Sequence, residues 1–148
     1  MNKIQPKPFI LGFYGHSGVG KTYLIRHIVN HLTAEGQHVG VVKVSNQAID
    51  LDTEGKDTFL YGQAGAETVA FSSTNETTFL IKKPLSTRQI INHMLQQNNY
   101  DFIFVEGALE DWIPKIRLGE IDLRTNTIST YDGNFEDLYQ KIRQKKLK

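Results

Sequence analysis

The sequence contains no cysteine, which excludes a disulfide framework and any thiolate metal site. It also lacks an apolar run near the ~20 residues that a membrane-spanning helix needs, so no membrane contact is expected. There is little excess charge of either sign. Seventeen Lys and Arg face 16 Asp and Glu, for a net charge of +1. That balance excludes a chain that binds nucleic acid through its overall field. One stretch is biased, at Lys141, Arg143, Lys145, Lys146 and Lys148. No aromatic residues are interleaved there for base stacking. It reads as the last turn of a helix complementing its own dipole, followed by a solvated end. The first eight residues are polar and basic, and the apolar run behind them soon meets Gly12 and Gly15, which is not a signal-peptide pattern. The cytoplasm is the expected compartment. At 148 residues the chain fits a single domain of ordinary size, 1–148.

What is present alternates between strand and helix. Residues 9–14 (Phe-Ile-Leu-Gly-Phe-Tyr) form a short apolar run of strand length. Leu24, Ile25, Ile28, Val29 and Leu32 recur at helical spacing, and Gly36 supplies the stop. Residues 38–43 predict a second strand, and the three elements together predict a crossover unit with parallel strands. Residues 44–56 look irregular. A short helix is expected over 57–65 with Asp57 as its N-cap. Thr68 to Phe71 and Thr78 to Ile81 predict a hairpin. Ser86 and Gln89 make a capping box ahead of a helix ending near Gln97. Phe102 to Val105 is apolar throughout, as a strand buried on both faces is. Residues 115–118 are a possible strand, and a last helix begins near Asn134. The fold class that follows is α/β.

Between the first strand and the first helix stands Gly15-His16-Ser17-Gly18-Val19-Gly20-Lys21-Thr22. This is a phosphate-binding P-loop in its required strand-loop-helix setting. Glycines let backbone amides face phosphate oxygens without a Cβ in the way. Lys21 supplies a point charge toward the β- and γ-phosphates, and the Thr22 hydroxyl a ligand for Mg2+. The helix adds its positive end. His16 reads as a tolerated exposed side chain. A nucleoside triphosphate with magnesium is therefore the expected ligand. No Asn-Lys-x-Asp sequence is present to read guanine, so the base is not legible.

A P-loop protein needs an acid beside its magnesium. Glu106 follows the apolar run 102–105, at a strand's C-terminal end, where α/β sheets bind ligands. Asp50 and Asp52 follow the second strand and alternate, which suits a cation or its waters. Lys43, at the end of that strand, reads either as a phosphate or client contact or as a solvated strand end.

Several blocks together resemble the molybdopterin-guanine dinucleotide biosynthesis adaptor protein B (MobB) family of small P-loop proteins. They are the P-loop, Gly36-Gln37-His38-Val39-Gly40-Val41-Val42-Lys43, Asp50-Leu51-Asp52-Thr53-Glu54-Gly55-Lys56-Asp57-Thr58, Ala64-Gly65-Ala66, Asp101-Phe102-Ile103-Phe104-Val105-Glu106-Gly107 and Pro114-Lys115-Ile116. The resemblance implies a P-loop NTPase three-layer sandwich with a mainly parallel sheet, of the SIMIBI class (signal-recognition, MinD and BioD proteins), usually dimeric. It implies GTP binding with weak hydrolysis, ATP remaining open. It also implies a partner, the nucleotidyltransferase that attaches GMP to molybdopterin. Thr22 with Asp52 or Glu106 would then hold magnesium. The family's histidines after the second strand are missing, since Lys43-Val44-Ser45-Asn46-Gln47 stands there. Gln63 replaces a basic residue, and Ala108-Leu109 replaces a lysine after Glu106-Gly107. The nucleotide half of the pattern is kept and the half that could recognise the pterin is eroded. Two other readings stay open, a small-metabolite kinase and a metallochaperone NTPase. The first is weakened by five unclustered arginines, and the second by histidines of which only His27 and His31 could meet on a helix face.

Overall fold

The computed structural model describes residues 6–147. They form two compact units: one comprises the chain up to Val44 and from Thr87 onward, the other Ser45–Ser86.

The first unit is built on a five-stranded sheet. Its strands are β1 (Phe9–Tyr14), β2 (Val39–Lys43), β5 (Phe102–Glu106), β6 (Lys115–Arg117) and β7 (Thr127–Thr130), in the order β2-β5-β1-β6-β7. Every pairing among them is parallel. The expected unit of 9–43 keeps its parallel strands, but β1 and β2 are not neighbours. β5 lies between them, because Phe102 to Val105 is fully apolar and its burial is complete only with a ladder on each side. β7 escaped prediction. Its sequence Thr-Ile-Ser-Thr is mostly polar, as an edge strand is, and its pairing with β6 carries a register shift.

Side chains alternate across β5. Phe102 and Phe104 enter one core with Leu24, Ile25, Ile28 and Leu32 of α1 (Lys21–Ala34) and Leu138, Tyr139 and Ile142 of α4 (Phe135–Arg143). Ile103 and Val105 enter the other with Ile91 of α3 (Thr87–Gln97), Ile113 and Ala108. The result is three layers, helices on both faces of a parallel sheet. Each large side chain fully buried in these cores contributes roughly 1.5–3 kcal/mol, so α1 is held chiefly by its four buried apolar residues. Asn134 caps α4, its side-chain oxygen accepting from Asp137 N–H at 3.1 Å, and Lys141 and Arg143 occupy the last turn. The cationic end is thus partly spoken for. Lys141 pairs with Asp137 at 2.6 Å and Arg143 with Glu35 at 2.7 Å, while Lys145 sits 5.0 Å over the Phe102 ring. Lys148 lies outside the described residues.

The second unit contains α2 (Asp57–Gln63) and the antiparallel hairpin of β3 (Thr68–Ser72) and β4 (Thr77–Ile81). The N-cap of α2 is Lys56, without a side-chain cap bond. Asp57 is therefore the first helical residue rather than the cap, where its carboxylate still meets the positive end of the helix. The unit exposes large apolar side chains: Leu51 is 92% exposed, and Leu60, Tyr61 and Phe71 at least half.

Candidate functional site

β1 runs out at Tyr14 and α1 starts at Lys21, so the loop 15–20 crosses the C-terminal edge of the sheet. Gly18 (φ +79°) and Gly20 (φ +102°) take the left-handed backbone that favours glycine. Gly15 is required for space instead, since a Cβ there would lie 2.5 Å from the Leu118 carbonyl oxygen. The loop ends on the first turn of α1, whose N–H groups lack intrahelical partners and form an anion site. Lys21 folds back over the loop, its Nζ donating to the carbonyl oxygens of Gly15 and His16, each at 2.8 Å. His16, Ser17, Gly18, Val19 and Gly20 are exposed along it.

The acid comes from the neighbouring strand. Glu106 is register partner of both Phe13 on β1 and Lys43 on β2. It shares the α1 face of β5 with Phe102 and Phe104. The Thr22 hydroxyl donates to Glu106 Oε1 at 3.2 Å, and Lys43 Nζ lies 3.9 Å from the same oxygen. The chain behind Glu106 is pinned. Gly107 N–H donates to Phe13 O at 2.8 Å and Val44 N–H to Glu106 O at 2.9 Å. Gly107 has φ +81°, and a Cβ on it would come 2.5 Å from Val44 O. Ser17, Gly18, Gly20, Lys21, Thr22, Tyr23, Lys43 and Glu106 line one cleft of about 260 Å³. The sequence-predicted loop, lysine, hydroxyl and acid thus meet in one place.

A hydroxyl and a carboxylate converging at 3.2 Å are the hard oxygen donors Mg2+ takes, usually with one or two carboxylates and the phosphates of its substrate completing the shell. Asp52 is held in the second unit, its Oδ1 accepting from Thr53 N–H at 3.0 Å and Thr58 Oγ1 at 2.9 Å. Its Oδ2 is buried without a hydrogen-bond partner, an orphaned acceptor a cation or its waters would satisfy. Asp50 is exposed. Among the described residues no three His, Asp or Glu side chains gather into a metal site. His27 and His31 do approach, with ring centroids 4.7 Å apart, but His27 is stacked on Phe135 and His31 Nδ1 bonds the His27 carbonyl.

Other residues shape the site without being visible in the sequence pattern. Arg124 lies 4.7 Å over the Tyr14 ring and donates to the carbonyls of Gly107 and Ala108 at 3.4 and 2.8 Å. It straps the end of β5 to the end of β1, directly behind Glu106. Lys115 is fully buried, and its Nζ donates to the carbonyls of Glu110, Ile113 and Thr125. Burial pushes its ammonium below the usual lysine range, against the pull of Asp111. Burial raises the Glu110 carboxyl, but hydrogen bonds from Trp112 Nε1 and Thr87 N–H outweigh it and the net shift is downward. That carboxylate fixes the start of α3. Lys115 stands in the Pro114-Lys115-Ile116 block, but neither it nor the loop residue Arg124 carries a periodic signal, so the part each plays comes from its contacts.

The family model described as molybdopterin guanine dinucleotide synthesis protein B (MobB) matches residues 10–134. The chain is 31% identical over 112 residues to a molybdopterin-guanine dinucleotide biosynthesis adapter protein of Haemophilus influenzae, covering 74% of this chain and 62% of that one. The corresponding adapter protein of Escherichia coli K12 is 30% identical over 112 residues, covering 74% and 64%. The chain thus spans less than two thirds of the length of these curated relatives. The crystal structure of Bacillus subtilis MobB superposes with a TM-score of 0.74 at 21% identity, covering 94% of this chain and 98% of that one. At that identity the likeness establishes the fold.

Proposed function

The chain belongs to the MobB family of P-loop proteins, and we propose that it serves as a magnesium-dependent GTP-binding accessory protein in molybdopterin guanine dinucleotide synthesis. The observation that carries this reading is the meeting of Lys21, Thr22, Lys43 and Glu106 in one cleft at the P-loop. The backbone amides of residues 15–22 and the Lys21 ammonium hold the triphosphate. Thr22 and Glu106 hold magnesium, Asp52 being the other carboxylate the sequence offers for it, and Lys43 adds a charge toward the phosphates. GTP is the leading nucleotide and ATP the alternative. The names of the curated relatives support an adapter role, in which the client is the cytoplasmic nucleotidyltransferase that attaches GMP to molybdopterin. The exposed apolar side chains of the second unit support a homodimer.

Hydrolysis is weak in this account because no arginine lines the phosphate cleft, and an arginine beside the γ-phosphate is worth several orders of magnitude in rate. None of the five arginines lines the cleft, and each makes another contact. Arg26 and Arg88 lie over Tyr23 and Trp112, Arg117 bonds Ile121 O and Thr130, Arg124 straps Gly107 and Ala108, and Arg143 pairs with Glu35. The test is single-turnover GTP hydrolysis by the purified protein. Rates far below ~1 s⁻¹, the lower end for kinases, are expected. Turnover at kinase-like rates without a partner would overturn the accessory reading.

A further inference from the structure

A second cavity, of about 330 Å³, adjoins the phosphate cleft, within the size range of small-ligand sites. Gly20 and Tyr23 line both, so the two are continuous over the start of α1. Glu106 and Lys43, on the β5 and β2 side, line only the phosphate cleft, whereas Leu118, just beyond β6, lines only the second cavity. Because β1 stands between β5 and β6, a triphosphate whose γ end faces Glu106 directs its α end toward β6.

The chemistry of this cavity differs from that of its neighbour. Its walls are Tyr23 and His27 from α1 and Tyr131 and Phe135 from the α4 end, over a floor including Leu118. His27 and Phe135 stack on each other at 4.0 Å and 15°, which presents a flat aromatic wall. Tyr23 stands edge-on to His27 at 5.9 Å and is 64% exposed, so its burial in the core does not account for it. Among the described residues no Asp, Glu, Asn or Gln side chain lines the cavity. The polar side-chain groups in its lining are the Tyr23 and Tyr131 hydroxyls and the His27 imidazole, with no carboxylate to take the paired N–H donors of guanine and no carboxamide to pair with adenine.

We propose that this cavity is the nucleobase pocket and that it holds a purine ring by aromatic stacking, selecting purine over pyrimidine and accepting guanine and adenine alike. The proposal rests on the phosphate-site reading above and deepens it. Stacking on an aromatic side chain is tolerant of base identity, and base preferences then follow ring size more than edge chemistry.

The test is calorimetry of the full chain with magnesium and, in turn, GTP, ATP, UTP and inorganic tripolyphosphate. Wild type should bind GTP and ATP within about threefold of each other and both severalfold more tightly than UTP. Tyr23→Ala, at an exposed position, should weaken GTP and ATP by about tenfold and leave tripolyphosphate unaffected. Tyr23→Phe should recover most of that loss, because the ring and not the hydroxyl stacks. The pocket assignment is overturned if Tyr23→Ala changes nothing, if GTP exceeds ATP a hundredfold, or if tripolyphosphate binds as well as every nucleotide. If neither nucleotide nor tripolyphosphate binds wild type, the phosphate site fails first and this pocket with it.

Discussion

The Thr22 hydroxyl donates to Glu106 Oε1 across 3.2 Å, joining the first turn of α1 to the C-terminal end of β5. Two segments 84 residues apart are thereby held where the cation of a bound nucleotide would be shared. Glu106→Gln keeps the size and the hydrogen bond but removes the charge. It should weaken nucleotide binding about tenfold in the presence of magnesium and leave the magnesium-free affinity unchanged, as read by titration with and without EDTA. Asp52→Asn in the same assay assigns the second carboxylate. A loss of magnesium dependence in neither variant would remove both from the metal site.

Much of this site was legible in the sequence because it is local. The P-loop, the apolar strand before it and the helical spacing of Leu24, Ile25, Ile28 and Leu32 lie within one contiguous stretch, and Glu106 follows an unmistakable buried strand. What stayed hidden depends on pairing across long separations. The insertion of β5 between β1 and β2, the strap from Arg124 and the stack of His27 on Phe135 each join distant segments. β7 stayed hidden for another reason: an edge strand needs little apolar surface, so Thr127–Thr130 carries no alternation to detect.

Lys115 is the clearest case of a polar residue that supports the fold. Its three carbonyl acceptors belong to Glu110, Ile113 and Thr125, and Lys115→Met removes the donor from all three, leaving the Ile113 carbonyl in buried surroundings. Urea unfolding should show a loss of about 2–4 kcal/mol. A loss under about 0.5 kcal/mol would mean that water replaces the ammonium at no cost.

Tyr139 ties α4 to the end of α1, its hydroxyl donating to Glu35 Oε1 at 3.0 Å. Burial, followed by the bond to Glu35, pushes its phenol from 10.0 up to about 12. Below pH 10 folded and unfolded chains both keep the proton. Between pH 10 and about 12 only the folded chain keeps it, so stability falls as pH rises through that window. Tyr139→Phe should cost about 1 kcal/mol at neutral pH and should flatten the alkaline fall in stability relative to wild type. Parallel stability curves for the two proteins would contradict the assigned shift.

Leu51 and Phe71 are exposed apolar side chains of the second unit, at 92% and 50%. If they form the homodimer face, wild type runs as a dimer in light scattering, and Leu51→Asp combined with Phe71→Asp runs as a folded monomer. A double variant that stays dimeric would place the interface elsewhere.

The loop from Gly15 to Thr22 is proposed to hold a triphosphate through Lys21. Calorimetry of GTP with magnesium, on wild type and Lys21→Ala, tests it most directly, with thermal melting as the check on folding. Saturable binding by wild type is expected, with a loss of at least about a hundredfold in Lys21→Ala and both proteins folded. Wild type that binds neither GTP nor ATP, or a folded Lys21→Ala that binds as wild type does, would contradict it.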